Sequence, residues 1–197
     1  MIKIELKDGS LKEFESGIRA IDVANSISEG LARAIVGAKI NGEVKDLKTP
    51  INDDAKLEFV KFEDKDGKEV FWHTSTHVMA QAIKRLYPEA KLAIGPAIEN
   101  GFYYDIDLEH RLSPEDLEKI EAEMKKIVKE EFEVERYELP KDEAIDFMKK
   151  LGEDYKVELI EGLEEGSTIS FYKQGEFTDL CAGPHLPNVK KVKAFKL

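Results

Sequence analysis

The chain has 197 residues, 42% of them hydrophobic and 36% charged, with a formal net charge of −11 and one cysteine. That length fits one large or two small domains. The charge speaks against indiscriminate nucleic-acid binding, which runs on phosphate neutralisation by Lys and Arg, and a lone cysteine excludes an internal disulfide framework and fits a reducing cytoplasm.

No run approaches the roughly 18 apolar residues that a membrane span needs, and residues 1–6 alternate charge with apolar side chains, unlike a secretory leader. The acidity is uneven. Residues 1–62 carry 10 basic and 11 acidic side chains, so almost the whole excess lies in 63–197. Within that acidic part, residues 173–197 hold Lys173, Lys190, Lys191, Lys193 and Lys196 against Glu176 and Asp179. Such a strip suits focused contact with an anion and equally a solvated tail.

In chain order, Ile2, Ile4 and Leu6 alternate with charges, Asp8-Gly9-Ser10 turns the chain, and Leu11 to Phe14 returns as a second strand. Ile18, Ile21, Val23, Ala24 and Ile27 recur with a helical period, and Ser28 is placed to cap a second short helix. Residues 34–40 read as a strand, Asn41-Gly42 turns it back towards Val44, and residues 57–60 close the unit. Hairpin, helix and returning strands describe a small α+β grasp of the ubiquitin kind. Residues 1–62 contain no cluster of catalytic residue types, which points to a binding or spacing module.

Residues 63–66 open a charged, Gly-containing stretch, the expected linker, and a second domain is expected over 67–197. There Val78, Met79, Ala82, Ile83 and Leu86 mark an amphipathic helix over 74–86, ended by Tyr87-Pro88. A strand-rich region follows through Ile94 and Phe102-Tyr103-Tyr104. Ser113-Pro114-Glu115-Asp116 is a helix start: an N-cap, a proline at the first helical position and two acids at the positive end of the dipole. Leu117, Ile120, Met124, Ile127 and Val128 form its core stripe. A further helix is expected at 143–151, ended by Gly152, and strands at 157–160 and 168–172. His110 reads as a surface loop residue.

Three of the four histidines and the only cysteine fall in two short motifs, His73-Thr-Ser-Thr-His77 and Cys181-Ala-Gly-Pro-His185. Four residues apart on a helix, His73 and His77 share one face. With Cys181 and His185 they make an N/S set suited to tetrahedral zinc. The same groups also suit proton transfer or a Cys–His nucleophile pair, although nothing before Cys181 suggests a helix start that would activate its thiol.

Together with His73-x-x-x-His77, three further stretches narrow these readings. They are the 94–105 run Ile-Gly-Pro-Ala-Ile-Glu-Asn-Gly-Phe-Tyr-Tyr-Asp, Tyr155-Lys156, and the 175–185 run Gly-Glu-Phe-Thr-Asp-Leu-Cys-Ala-Gly-Pro-His. In this order, over the whole chain, they resemble the N-terminal half of bacterial-type threonyl-tRNA synthetases. The resemblance implies a TGS β-grasp domain over 1–62, and over 67–197 an α+β editing domain with a mainly antiparallel sheet and a long amphipathic helix.

It further implies hydrolysis of the aminoacyl ester of seryl-tRNA(Thr), with Lys156 and His73 as the catalytic pair and Tyr104, Asp179, His77, Cys181 and His185 lining the substrate pocket. Lys156 would steer or activate water, a role that asks for burial or a neighbouring cation. Asp179 would hold the substrate ammonium, and Tyr104 would bound the side-chain pocket. No cofactor is implied for this reaction. ATP, a catalytic zinc and the homodimer interface belong, in that family, to the aminoacylation part, whose motifs this sequence lacks. Two alternatives stay open: a zinc-dependent deacylase of the alanyl type, holding the metal with His73, His77, Cys181 and His185, and a non-catalytic tRNA-binding appendage.

Overall fold

Alternation of apolar and charged residues places the first strands. In this computed structural model, which describes every residue except Glu99, β1 (Ile2–Leu6) buries Ile2 and Ile4 and pairs antiparallel with β2 (Leu11–Phe14). A two-residue strand, β3 (Ile18–Arg19), leads into α1 (Ala20–Ile27), whose Ala20, Val23 and Ala24 are buried. Ser28 ends that helix and caps α2 (Glu29–Ala34), its hydroxyl accepting from the Leu31 N–H at 3.0 Å.

The chain then returns as β4 (Ile35–Ile40) and β5 (Glu43–Lys45), joined at Asn41 (φ 52°) and Gly42 (φ 87°). Two successive positive φ values are what a two-residue hairpin turn of the Asn-Gly type demands. After β6 (Pro50–Ile51), β7 (Ala55–Lys61) runs parallel to β1 and antiparallel to β4, giving the sheet order β2-β1-β7-β4-β5. Ile4, Ile35 and Leu57 from the sheet and Val23 and Ala24 from α1 form one core, so the sheet grasps the helix.

By contacts, the first unit comprises residues 1–71 together with Gly183–Pro187, and the second comprises Trp72–Ala182 and Asn188–Leu197. The stretch expected to be a linker at 63–66 turns directly into α3 (Lys65–Leu86), so this helix starts nine residues earlier than the apolar pattern indicates. Gly67 explains the early start: a Cβ there would collide with the Lys61 carbonyl, and only glycine lets the first turn pass so close. Nor is α3 simply amphipathic. Thr74, Ser75, Thr76, His77 and Gln81 are buried along with Val78, Ala80, Ala82 and Ile83, whereas Leu86 is exposed.

In the second unit, the region read as strand-rich holds only two-residue ladders. These are β8 (Lys91–Leu92) with β11 (Ile106–Asp107), and β9 (Ala97–Ile98) with β10 (Gly101–Phe102), leaving Ile94, Tyr103 and Tyr104 outside strands. Glu99, part of the 94–105 motif, lies outside the described residues. The next helix, α4 (Pro114–Lys129), starts on a full capping box between Ser113 and Asp116 and buries Ile120, Met124 and Ile127.

An antiparallel sheet, β12-β13-β14, is built from β12 (Val134–Glu138), β13 (Ser170–Gln174) and β14 (Phe177–Leu180). Between its first two strands lie α5 (Lys141–Leu151) and α6 (Asp154–Glu161), whose Met148, Val157 and Ile160 pack with Phe171 of the sheet. Residues 157–160, expected as a strand, are thus helical. Lys156, Val157 and Ile160 are buried at i, i+1 and i+4, a helical spacing that a four-residue apolar run cannot reveal. Ala80 of α3, Leu92 of β8 and Phe177 of β14 form a second small core beside Tyr104 and Ile106. The chain ends with a 3-10 turn at Val189–Lys191. The architecture is the expected α+β one, a β-grasp unit and a mainly antiparallel unit.

Candidate active site

A cavity of about 310 Å³ in the second unit gathers most of the residues that the sequence singled out. Its walls come from four places: His73 and His77 of α3, Lys156 and Leu159 of α6, Asp179 and Leu180 of β14 with Cys181 just beyond it, and the 94–104 loop through Ile94, Gly95, Pro96 and Tyr104. Helical spacing puts the two histidine rings edge to face, 5.8 Å between centroids. Strand alternation puts Asp179 and Cys181 on the same side of the chain.

At the centre is an ion pair that water barely reaches. Lys156 Nζ donates to Asp179 Oδ1 at 3.0 Å, and both side chains are 4% exposed. The Tyr104 hydroxyl donates to the other carboxylate oxygen, and the Lys156 ammonium lies 5.3 Å from the centre of the Tyr104 ring. His77 Nε2 is 3.6 Å from Asp179 Oδ2. Burial opposes the negative charge of Asp179, but the Lys156 ammonium and the Tyr104 hydroxyl prevail and hold it below the usual carboxylate range. The phenol of Tyr104 is pushed far above its ordinary value by burial and by the charge of Asp179, so it remains a donor. Burial drives His77 down to about 3, outweighing the attraction of Asp179. That imidazole is neutral at physiological pH.

Beside this group, Cys181 Sγ and His73 Nε2 lie 2.9 Å apart. His73 is only half buried, so the more accessible of the two rings carries the sulfur contact. Suitable ligand atoms of His73, His77 and Cys181 all lie within 4.8 Å of one another. The donors are of the kind zinc takes, but two ligands on a tetrahedral zinc stand roughly 3.5 Å apart. Cys181 and His73, 2.9 Å apart, are closer than that.

His185, in the segment that groups with the first unit, is buried and its backbone N–H donates to Asp46 Oδ1 at 2.6 Å. His110 is exposed as read, yet its ring stacks on Tyr87 and sits 2.8 Å from Asp116 Oδ2. The environment of Lys156 is only partly the one its expected role asked for: it is buried, but its neighbour is a carboxylate and not a cation.

Gly95 carries no functional group, and sequence reasoning passed over it. Any Cβ there would run into the Tyr104 ring and lie 2.7 Å from Thr76 Cγ2 of α3. The missing side chain lets the ring lie flat between the loop and the helix, where its hydroxyl reaches Asp179. The Gly95-Pro96 pair after Ile94, within the 94–105 run, was the available signal.

Residues 2–61 match the TGS domain model, and residues 169–197 match the model described as the threonyl and alanyl tRNA synthetase second additional domain. A β-grasp TGS domain followed by this additional domain defines a segment of a class of aminoacyl-tRNA synthetases. Over all 197 residues the chain is 71% identical to a threonine–tRNA ligase of Clostridioides difficile, 61% to one of Acetivibrio thermocellus and 57% to one of Finegoldia magna. It spans 31% of the length of each of these relatives. The chain belongs to the threonine–tRNA ligase family, as the portion that carries the TGS and second additional domains.

Proposed function

We propose that the second unit is a proofreading hydrolase that removes serine from mischarged tRNA(Thr). The need is physical. Serine is threonine without one methyl group, and a missing methyl costs a binding site only ~1–3 kcal/mol, too little for translation. A second, smaller site that admits serine and excludes threonine reverses the asymmetry. The observation that carries this reading is the buried Lys156–Asp179 pair, with the Tyr104 hydroxyl on the carboxylate, in a small cavity that His73 also lines.

In this reading Tyr104, Leu159 and Leu180 bound the space for the amino-acid side chain. Asp179 attracts the substrate ammonium; both its oxygens already have partners, so the incoming cation shares one of them with Lys156 or Tyr104. A water molecule adds to the ester carbonyl, the carbon–oxygen bond to the ribose breaks, and the ribose oxygen takes up a proton. Lys156, paired with Asp179, steers the water and stabilises negative charge forming on the carbonyl oxygen. His73 accepts the proton of the water or holds the neighbouring ribose hydroxyl. Neutral, buried His77 orients Asp179, and Cys181 orients His73. tRNA(Thr) is the partner, through its acceptor end, and the TGS domain is a binding or spacing module.

A zinc-dependent deacylase is the second reading, favoured by the His73, His77 and Cys181 donors within 4.8 Å; His185 would be the fourth ligand. Zinc there would polarise the ester carbonyl and lower the pKa of a bound water. Serine release from seryl-tRNA(Thr), measured with and without a strong chelator and in Lys156→Ala and His73→Ala chains, separates the possibilities. The expected result is indifference to the chelator and a loss of about 100-fold or more in both variants. Activity lost to chelation and restored by zinc selects the metal reading. Full activity in both variants rejects the assigned roles, and tRNA binding without any serine release selects a non-catalytic appendage.

A further inference from the structure

His73 and His77 are the first half of a longer series. Gln81 and Arg85 continue it, so that four polar side chains recur every fourth residue along α3. His73 and His77 meet β14 and the residue just beyond it, and Gln81 and Arg85 meet the end of β13 and the hairpin turn. His73 Nε2 lies 2.9 Å from Cys181 Sγ, and His77 Nε2 lies 3.6 Å from Asp179 Oδ2. Gln81 accepts from Gln174 Nε2 at 2.9 Å and donates to Glu176 Oε1 at 2.9 Å. Arg85 Nε donates to the same Glu176 oxygen at 2.6 Å.

Four residues of helix rise ~6 Å and two residues of strand ~6.8 Å, so His73 and His77 keep step with Cys181 and Asp179, while Gln81 and Arg85 meet the end of β13 at Gln174 and the hairpin turn at Glu176. Arg85 is itself fixed from behind: its guanidinium takes Glu130 with two bonds, at 2.7 and 2.9 Å, and Glu123 at 3.2 Å, both on or just after α4. The hairpin turn at Gly175-Glu176 is thereby tied to two helices. A strand whose side chains alternate must be held in register, because a one-residue slip would exchange Asp179 for Thr178 or Leu180 at the cavity.

We propose that Gln81 and Arg85, acting through Gln174 and Glu176, are positioning residues that set the register of the β13–β14 hairpin against α3. They thereby place Asp179 beside His77 and Lys156, and Cys181 beside His73. Neither residue lines the 310 Å³ cavity, so their effect passes through the strand. The consequence for catalysis rests on the proofreading function proposed above; the register itself does not.

The test uses the 197-residue chain with Glu176→Gln, Arg85→Gln and Gln81→Leu, and Arg85→Lys as the conservative comparator. Amide hydrogen exchange over 177–181 and deacylation of seryl-tRNA(Thr) are both read. The expected result is faster exchange confined to the hairpin, with kcat down about 10- to 100-fold while KM stays within about twofold, as befits misplacement by a fraction of an ångström to an ångström. Arg85→Lys, which keeps the charge, recovers part of both. Glu176 is more than half exposed, so its variant folds even if the others do not. Unchanged exchange at 177–181 in Glu176→Gln overturns the register role, whatever the activity. Faster exchange with unaltered kcat in an active chain overturns the link to catalysis. A wild-type chain that releases no serine refutes the proposed function and leaves the exchange experiment to decide the register.

Discussion

Among single residues, His77 has the most consequential surroundings. It is 3% exposed, and burial lowers its folded value from 6.5 to about 3. The unfolded chain therefore binds a proton there between pH 6.5 and about 3 that the folded chain does not. Stability rises with pH wherever the unfolded state binds more protons. The contribution of His77 is thus complete above pH 6.5 and is lost as pH falls towards 3, with Asp179, also lowered, adding to the loss below its unfolded value of 3.8. Urea unfolding at pH 7 and at pH 4.5 checks this. His77→Gln is expected to lose less stability between the two pH values than the unaltered chain, and equal losses would show that His77 does not titrate as a buried neutral group. The pairing of His73 with His77 was legible in the sequence because helical spacing fixes it, and their meeting with Cys181 was implied only by the family resemblance. The pairing of Lys156 with Asp179 was not legible from spacing, because no sequence period connects α6 to β14.

Elements were legible where their ends carry chemistry and illegible where burial alone defines them. Asn41-Gly42, Ser28 and Ser113-Pro114 each announce a turn or cap through a backbone requirement that few residues meet. By contrast β12 went unread, because Glu135, Arg136 and Glu138 hide an alternation in which only Val134 is buried and Tyr137 half buried. Residues 157–160 were misread as a strand because Val157 and Ile160 sit on a helix too short to display its period. The start of α3 was missed because nothing in a charged, glycine-containing stretch marks the close approach of Gly67 to Lys61. The cap of α4 gives a direct test at this scale. Ser113→Ala removes the hydroxyl that accepts from the Asp116 N–H, and the expected cost is about 1 kcal/mol of stability, measured by thermal or urea unfolding. Serine release at a temperature where the variant remains folded is expected to be unchanged, since α4 supplies no cavity wall; a change in stability below a few tenths of a kcal/mol would show that the cap is dispensable.

For the whole molecule, charge and architecture set the terms on which the proposed tRNA partner would be met. The chain carries −11 overall, and its basic strip is partly spent: Lys196 is bridged to Glu121, and Lys190 to Glu131 at 3.3 Å. Half burial and the neighbouring Lys193 and Lys190 depress the ionisation of Lys191. Local contacts, with no broad positive field, remain for phosphate, which fits recognition by a site and not by the backbone at large. Among the described residues no helix is long and apolar enough to cross a membrane. The family resemblance was legible because its motifs keep their order across both units. The polar ladder along α3 was not, because Gln81 and Arg85 acquire meaning only when the hairpin lies against them.

The central claim is that a small cavity around the buried Lys156 and Asp179 discriminates serine from threonine on the same tRNA. Single-turnover release of serine and of threonine from tRNA(Thr), by the 197-residue chain in excess, measures that discrimination with no aminoacylation step to obscure it. Serine is expected to leave at least ~10-fold faster than threonine, the least that one excluded methyl group supplies. Equal rates for the two esters, or release of neither, would contradict the account.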